Sequence, residues 1–147
     1  MSNREEATEL LNYLIIGERI GHIIQGNVAE IAKGELAVLI YLIDEKDGAS
    51  AIEISQRFQI NTSRVAAILK TLSKKGYIER KSDPKDKRKI QVYITDKGKQ
   101  YGQQRREDIL NHIDQMLEML GEEDAKEHLR IMKRIAYIYQ SSSKDND

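Results

Sequence analysis

Residues 76–95 constrain the fold of this chain more tightly than any other segment. Apolar and polar side chains alternate at the end of the segment, with the period of two expected of a half-buried β-strand. The alternating apolar residues are Ile90, Val92 and Ile94. Residues Tyr77–Lys81 offer a shorter partner strand, and Ser82–Lys89, which contains the chain's only proline, lies between the two strands. The segment therefore predicts a two-stranded ribbon with a hairpin tip.

The tip of this ribbon is strongly cationic. Burial of the ribbon's apolar face leaves four basic side chains projecting with little apolar cover. These side chains are Lys85, Lys87, Arg88 and Lys89. The arrangement suits a groove of a nucleic acid, because contacts with phosphate groups stabilise clustered positive charge.

The charge of the chain is unevenly distributed, although its formal net charge is zero at pH 7. Residues Arg64–Lys99 contain 12 Lys or Arg and 4 Asp or Glu, an excess of 8 positive charges. Met1–Ser63 contain 5 basic and 10 acidic residues, and Gln100–Asp147 contain 7 and 10. A solvated charged face without a partner is the commoner meaning of such a run. Here the excess coincides with the ribbon, and this coincidence favours a nucleic-acid partner.

Apolar residues at three- and four-residue spacing, together with capping and stop residues, predict six helices, and with them a mainly α fold with a small β-ribbon (α+β). The predicted helices are Glu6–Gln25, Glu35–Glu45, Ser50–Phe58, Asn61–Lys75, Thr95–Gly121 and Glu122–Gln140. Ser50 and Glu53 fit a capping box at the start of the third helix. The short link Phe58–Ile60 leads into the fourth helix, which is helix-turn-helix spacing. The polar segment Ser141–Asp147 is expected to be frayed.

The fourth predicted helix has an apolar face and a polar face. Its apolar residues, Val65, Ile68, Leu69 and Leu72, have the spacing of a core stripe. At about 100° per residue, the opposite face is formed by Ser63, Ala67, Lys70 and Lys74. Helix-turn-helix proteins present the N-terminal part of their second helix to bases in the major groove. The predicted base-reading residues are therefore Asn61, Thr62, Ser63 and Arg64.

Lys70 and Lys74 are better placed for phosphate groups than for bases. The alternative interpretation of this helix is an ordinary core helix with a solvated polar face. The basic ribbon that follows the helix argues against that alternative.

The order of these features resembles the MarR group of bacterial winged helix-turn-helix regulators over nearly the whole chain. The resemblance is carried by Lys74–Arg80, Asp83–Arg88 and Ile94–Gly98. The family's wing signature is an aspartate, one further residue and an arginine, and here it is Asp86, Lys87 and Arg88. In the family the arginine enters the minor groove and the aspartate helps to hold the wing, so the resemblance gives these roles to Arg88 and Asp86. A guanidinium also suits that narrow, electronegative groove.

The chain departs from the family pattern in two places, the middle of the fourth helix and the wing. Family members often carry a threonine and an arginine where this chain has Ala66 and Ala67, so a usual base or phosphate contact is missing and the target sequence cannot be carried over. We hypothesise that Ala67 packs against a thymine methyl group, an apolar contact that alanine can make. In the wing, Lys87 stands where arginine is frequent but keeps the charge, and Lys85 adds a further expected contact.

The resemblance also implies a triangular homodimer in which the first, fifth and sixth helices of each chain interlock. It divides the chain into a winged helix-turn-helix domain, residues 35–95, and a helical dimerisation region, residues 1–34 and 96–147. The apolar stripes of the outer helices support a dimer independently, because so much exposed apolar surface is unusual on a monomer. A long intramolecular bundle is the alternative. A dimer places two recognition helices about one DNA turn apart, roughly 34 Å, and predicts a near-palindromic operator.

These features predict a sequence-specific, double-stranded DNA-binding transcriptional regulator, and specifically a repressor that a ligand releases from its operator. A winged-helix module for protein or RNA contacts is the alternative. Relatives bind aromatic or lipophilic effectors between the dimer layer and the winged domain, so a small-molecule effector is a further expected partner. Tyr13 and Tyr41 are candidates for lining such a cavity, although core packing is the commoner fate of such tyrosines.

The sequence gives little support for a metal site, an enzyme or a membrane protein. The chain has no cysteine, which excludes disulfides and cysteine–zinc sites. No two of His22, His112 and His128 have the i, i+4 spacing of a zinc-binding pair, so we expect no metal. A Gly-rich phosphate loop and a nucleophile elbow are absent, so we expect neither an enzyme nor a cofactor. No apolar run is long enough to span a bilayer, and we expect a cytoplasmic protein with no membrane partner.

Overall fold

The computed structural model describes residues 3–23 and 34–144. The chain forms two compact units, Met1–Glu107 and Asp108–Asp147, and the boundary between them falls within one long helix. The predicted end of the first helix at Gln25 lies outside the described residues.

The described residues form six helices and three short strands. The helices are α1 (Asn3–Ile23), α2 (Glu35–Asp44), α3 (Ala51–Phe58), α4 (Thr62–Lys74), α5 (Asp96–Leu120) and α6 (Glu122–Lys144). The strands are β1 (Ala49–Ser50), β2 (Ile78–Ser82) and β3 (Ile90–Ile94). β3 lies between β1 and β2 and is antiparallel to both. The predicted fold class, mainly α with a small β-ribbon, is confirmed.

The structure contains one strand, β1, that the sequence does not predict. It has two residues, too few to show an alternating pattern, and it directly precedes the capping box of α3. Ala49 pairs with Val92 and Ser50 with Gln91. The predicted ribbon is therefore the larger part of a three-stranded sheet, and β1 ties its second strand to the start of α3.

The last helix is longer than predicted. α6 continues to Lys144, whereas Ser141 and the residues after it were expected to be frayed. The hydroxyl groups of Ser141 and Ser142 donate hydrogen bonds of 2.9 Å to the carbonyl oxygens of Tyr137 and Ile138, one turn earlier. These bonds satisfy the serine hydroxyls within the helix.

The core of the first unit lies between α2, α3 and α4 and one face of the sheet. The apolar stripe of α4 is buried as predicted, and its members are Val65, Ile68, Leu69 and Leu72. The stripe belongs to one cluster with Leu39, Leu42, Ile54, Ile78 and Val92. Full burial of each such aliphatic side chain contributes roughly 1.5–3 kcal/mol. Since this stripe is fixed in the core, the opposite face of α4 has to face solvent.

Ile90 departs from the predicted burial of the ribbon. Val92 and Ile94 are buried, but Ile90 is 50% exposed. Ile90 pairs with Ser82, at the end of the ribbon opposite to the Ile78–Ile94 pair. The alternation identifies the correct face for Ile90, but the ribbon extends beyond the helices that cover that face.

Side-chain hydrogen bonds hold both ends of α3. The predicted capping box is present: the Ser50 hydroxyl accepts from the Glu53 amide (3.2 Å), and the Glu53 carboxylate accepts from the Ser50 amide (2.9 Å). At the other end of α3, Gln59 adopts a left-handed conformation with φ 54°. The Ser55 hydroxyl donates to the carbonyl oxygen of Ile60 (2.6 Å). The bond from Ser55 closes the turn after α3 and fixes the direction in which the chain enters α4.

The start of α5 packs closely against the start of β2. The Thr95 hydroxyl donates to the carbonyl oxygen of Gly76 (2.7 Å) and accepts from the Gly98 amide (3.0 Å), which caps the helix. The rings of Tyr77 and Tyr101 stack with their centroids 4.4 Å apart. A Cβ atom at Gly98 would overlap the carbonyl oxygen of Tyr77. Glycine at this position therefore permits the backbone contact that joins α5 to the sheet.

The second unit consists of the C-terminal part of α5 and of α6, which meet at Gly121 with φ 85°. Many of its large apolar side chains are exposed, among them Leu110, Ile113, Met116, Met119, Leu120, Leu129, Ile131, Met132, Ile135 and Ile138. α1 likewise exposes Leu10, Leu11, Tyr13 and Ile15. The described helices include none that is long and apolar enough to cross a membrane.

We expect Gly98→Ala to lower the free energy of unfolding by about 3 kcal/mol, because the new methyl group forces α5 away from the Tyr77 carbonyl. Urea denaturation followed by circular dichroism measures the change. Lys99→Ala is the matched control, since Lys99 is the exposed neighbour on the same turn, and it should change stability by less than about 0.5 kcal/mol. Equal stability of the two variants would contradict the proposed close approach.

Candidate nucleic-acid interface

The solvent-facing side of α4 is polar and positively charged. Its exposed residues, including the N-cap, are Asn61, Thr62, Ser63, Arg64, Ala66, Ala67, Lys70, Ser73 and Lys74. The helix has 13 residues, a length of roughly 20 Å. An α-helix fits the major groove of B-DNA, which is about 12 Å wide. The buried stripe on the other side keeps this exposed face from turning inward.

The first turn of α4 is built around Asn61. The side-chain oxygen of Asn61 accepts a hydrogen bond from the Arg64 amide (2.8 Å), so Asn61 is the N-cap. The capping bond fixes the orientation of the side chain and leaves its NH₂ group to donate elsewhere. Thr62, Ser63 and Arg64 form the first turn itself, which is the part of a second helix that helix-turn-helix proteins present to bases.

The hairpin tip between β2 and β3 comprises residues 83–89. The two strands pair from Ile78↔Ile94 to Ser82↔Ile90. The Asp83 amide donates to the carbonyl oxygen of Lys89 (2.8 Å), and the Lys89 amide donates to that of Asp86 (3.0 Å). The four predicted cationic side chains of the tip are all exposed: Lys85, Lys87, Arg88 and Lys89. The tip is therefore an ordered turn that presents four positive charges.

Both aspartates of the tip hold its backbone. The Asp86 carboxylate accepts a hydrogen bond from the Arg88 amide (3.1 Å), and the Asp83 carboxylate accepts one from the Lys85 amide (2.8 Å). Each bond joins a side chain to the backbone two residues later, the geometry of an Asx turn. The Asp86 bond orients the backbone from which the Arg88 side chain projects, which gives a physical basis for the role that the family resemblance assigns to Asp86.

The two faces of the ribbon have different surroundings. On the face away from the core, the Lys81 ammonium lies 5.4 Å from the centroid of the Tyr93 ring and 3.8 Å from the Glu79 carboxylate. The Tyr93 hydroxyl donates to the side-chain oxygen of Gln91 (3.0 Å). This outer face therefore carries its own set of polar contacts, separate from the core-side face.

Two acidic side chains near α3 form ion pairs with basic side chains. The Lys46 ammonium donates to Glu53 (2.6 Å); this bond, and after it the bond from the Ser50 amide, holds the pKa of Glu53 below its usual value. Arg57 donates to Glu45 (2.9 Å), which lowers the pKa of Glu45 in the same way. Both carboxylates are thus compensated by a cation within hydrogen-bond distance.

The structure gathers the predicted contact residues into two exposed groups of the first unit. The group on α4 comprises Asn61, Thr62, Ser63, Arg64, Ala67, Lys70 and Lys74, and the group on the wing tip comprises Lys85, Asp86, Lys87 and Arg88. The short link between the helix and the wing is held by a hydrogen bond from the Tyr77 amide to the carbonyl oxygen of Leu72 (3.0 Å). Arg80, an exposed cation of β2, is missing from the prediction. Counting in twos from the buried Ile78 would have assigned it to the core-side face.

The sequence offered histidines as candidate metal ligands and two tyrosines as candidates for the lining of an effector cavity. The His112 ring nitrogen Nδ1 lies 2.7 Å from the carbonyl oxygen of Asp108, and the His22 side chain lies outside the described residues. Among the described residues, no group of His, Asp and Glu is arranged to hold a metal ion. Tyr41 packs edge-on against Phe58, with ring centroids 5.8 Å apart, whereas Tyr13 is 65% exposed. Tyr41 thus has the core role expected of most such tyrosines.

The MarR family model matches residues 35–90, from α2 to the first residue of β3. The winged helix-turn-helix domain belongs to the MarR family. The HTH-type transcriptional repressor YetL of Bacillus subtilis is 27% identical over 92 residues, which cover 60% of this chain and 55% of YetL. The matched segments span from 32% to 55% of the length of the curated relatives.

Solved structures share the fold of this chain. The transcriptional regulator BldR from Sulfolobus solfataricus superposes with a TM-score of 0.63 at 23% identity, over 93% of this chain and 99% of BldR. The PcaV transcriptional regulator from Streptomyces coelicolor, in complex with its natural ligand, gives a TM-score of 0.59 at 22% identity, over 69% and 72% of the two chains. The relatives of the MarR-family domain are transcriptional regulators and not enzymes, in agreement with the sequence analysis.

We expect Asp86→Ala to accelerate hydrogen exchange of the Arg88 amide, because the variant removes the acceptor of that amide's hydrogen bond. Asp86→Asn should keep exchange near the native rate, since its side-chain oxygen can accept the same bond. Amide exchange followed by NMR measures both rates. Native-like protection of Arg88 in Asp86→Ala would show that the carboxylate does not hold the turn.

Proposed function

We propose that this MarR-family protein is a sequence-specific, double-stranded DNA-binding transcription regulator that acts as a homodimer. The observation that carries the proposal is the combination, within one small unit, of an exposed polar face on α4 and an ordered cationic tip on the wing. Helix α4 would lie in a major groove and the tip would reach the adjacent minor groove.

The two groups of residues would have different tasks. The first turn of α4, Thr62–Arg64, would read base edges, while Lys70 and Lys74 would neutralise phosphates. On the wing, Arg88 would enter the minor groove, whose electronegative floor attracts a guanidinium. Lys85 and Lys87 would add phosphate contacts without sequence preference. Specificity would therefore come from α4, and much of the affinity from the wing.

The proposed homodimer supplies the second DNA-binding domain. We propose that residues 1–34 and 96–147 form the dimerisation region and residues 35–95 the DNA-binding domain. The exposed apolar side chains of α1, of the C-terminal part of α5 and of α6 support this division, because burial against a second copy removes them from water. A symmetric dimer with one DNA turn, roughly 34 Å, between its recognition helices would select a near-palindromic operator.

A small molecule would regulate the binding of this protein to its operator. We propose a repressor that leaves its operator when a small molecule favours a conformation with a different spacing of the two DNA-binding domains; a difference in ligand affinity between the two conformations is sufficient. The repressor name of YetL and the ligand complex of PcaV support this direction by analogy. Such a regulator would act in the cytoplasm, where the chromosome lies.

The alternative function is a winged-helix module that binds protein or RNA. Selection of bound fragments from a random duplex library, followed by competition at several salt concentrations, separates the two. A DNA regulator should enrich a near-palindromic duplex and lose affinity steeply as salt rises. Failure to enrich any duplex, with retained binding to RNA, would favour the alternative.

Substitution of Arg88 and of Arg64 should have different effects on DNA binding. Arg88→Ala should weaken binding to operator and to unrelated duplex by similar factors. Arg64→Ala should relax preference at particular base pairs, with about 1–3 kcal/mol lost at each. Electrophoretic mobility shifts on a set of single-substitution operators measure both effects. Small and equal effects of the two substitutions would contradict the groove assignment.

A charge in the apolar stripe of α6 should break the dimer. Ile135→Asp places a carboxylate on a stripe that also contains Met132 and Ile138, so its burial against a second copy becomes unfavourable. Tyr137→Asp is the matched control, because Tyr137 is 72% exposed and lies on the opposite side of the helix. Sedimentation velocity at micromolar concentration should show a dimer for the native protein and Tyr137→Asp, and a monomer for Ile135→Asp. A monomeric native protein would refute the dimer.

A further inference from the structure

Arg80 occupies the core-side face of the wing. It lies two residues after the buried Ile78 and pairs with the buried Val92 across the ribbon. Side chains two residues apart on a strand, and directly opposite partners on neighbouring strands, share one face of the sheet. Ile78 and Val92 belong to the same core cluster as Leu72 of α4. Arg80 is therefore on the face of the ribbon that packs against the recognition helix.

The core ends before it reaches Arg80. Ile78 is 3% exposed, whereas every later residue of β2 is exposed. A step of two residues along a strand is roughly 6.6 Å, so Arg80 lies just beyond the last buried layer and on the way to the tip at residues 83–89. Its position is between the two groups of predicted contacts, α4 on one side and the cationic tip on the other.

The arginine has no carboxylate partner in the part of the chain that the structure describes. By contrast, Arg57, Arg106 and Arg130 each form an ion pair with a nearby acidic side chain. Glu79, the neighbour of Arg80, lies on the other face of the ribbon, where its carboxylate is 3.8 Å from the Lys81 ammonium. An unpaired guanidinium on this face is available to an external anion, and its fork geometry matches the oxygens of a phosphate.

We propose that Arg80 binds a backbone phosphate of the DNA between the major groove entered by α4 and the minor groove entered by the wing tip. The inference rests on the proposed DNA-binding function and adds to it a residue that bridges the two contact groups. Arg80 contributes affinity and register but no base preference, because phosphates carry no sequence information directly.

The chain contains a matched control for this contact. Lys81 is the next residue, it has the same charge, and its side chain is 63% exposed. Lys81 lies on the outer face of the ribbon, with its ammonium 5.4 Å from the centroid of the Tyr93 ring. Alanine at either position removes one positive charge from the wing, so a difference between the variants reports the face of the ribbon and not the net charge.

The experiment measures the affinity of the full-length protein for its selected operator and for an unrelated duplex at four or more salt concentrations. Arg80→Ala should reduce the magnitude of the slope of log K against log salt by about 0.9, the value for one lost phosphate contact. Its affinity should fall by similar factors on the two duplexes. Arg80→Lys should restore most of the slope, because the charge returns, and Lys81→Ala should keep the native slope. Thermal denaturation of each variant checks that the fold is intact.

Two results would overturn the inference and leave the proposed function standing. One is a native slope in Arg80→Ala while Arg88→Ala still weakens binding. The other is an equal loss of slope in Arg80→Ala and Lys81→Ala, which would mean that charge alone and not the face of the ribbon matters. A native protein that prefers no duplex would overturn the inference and the proposed function together.

Discussion

Burial of the apolar stripe of α4 is the constraint on which the rest of the first unit depends. The four stripe residues share one core with α2, α3 and the inner face of the sheet. If the helix rotated about its axis, it would expose these side chains and bury Lys70 or Lys74, which would cost far more than any surface contact returns. The orientation of the polar face of α4 is therefore fixed in the unbound protein. A pre-oriented helix loses less conformational freedom on binding, and this favours tight association.

Short polar contacts to the backbone then place the neighbouring elements around α4. The capping box of α3 and the cap at Asn61 fix the starts of the two helices of the helix-turn-helix. Thr95 and Gly98 hold the start of α5 against the sheet. At the wing tip, the bond from the Arg88 amide to Asp86 gives a short loop a defined shape. In each case a side chain satisfies a backbone group that would otherwise be left without a partner at a helix end or turn.

The sequence predicted these elements wherever a periodic pattern was long enough to be seen. Five of the six described helices, the ribbon and the stripe of α4 follow from spacing, since each element has several turns or several alternating residues. The capping box at Ser50 predicts the short helix α3. β1 has only two residues and carries no pattern, so only its pairing with β3 reveals it. A periodic pattern also does not show how deeply a side chain is buried. Ile90 has the correct phase but lies past the edge of the helical layer, and Arg80 lies on the core-side face without entering the core.

By itself, the sequence determined which residues face the core, where most elements start and end, and where the positive charge is concentrated. These properties depend on neighbours within a few positions, so local spacing and composition encode them. The tertiary structure alone decided how far the wing extends beyond its helices, how much of the ribbon's core-side face is covered, and which carboxylates form hydrogen bonds with backbone amides or basic side chains. Those outcomes depend on contacts between residues distant along the chain, and they exist only once α4 and the sheet have closed around a common core.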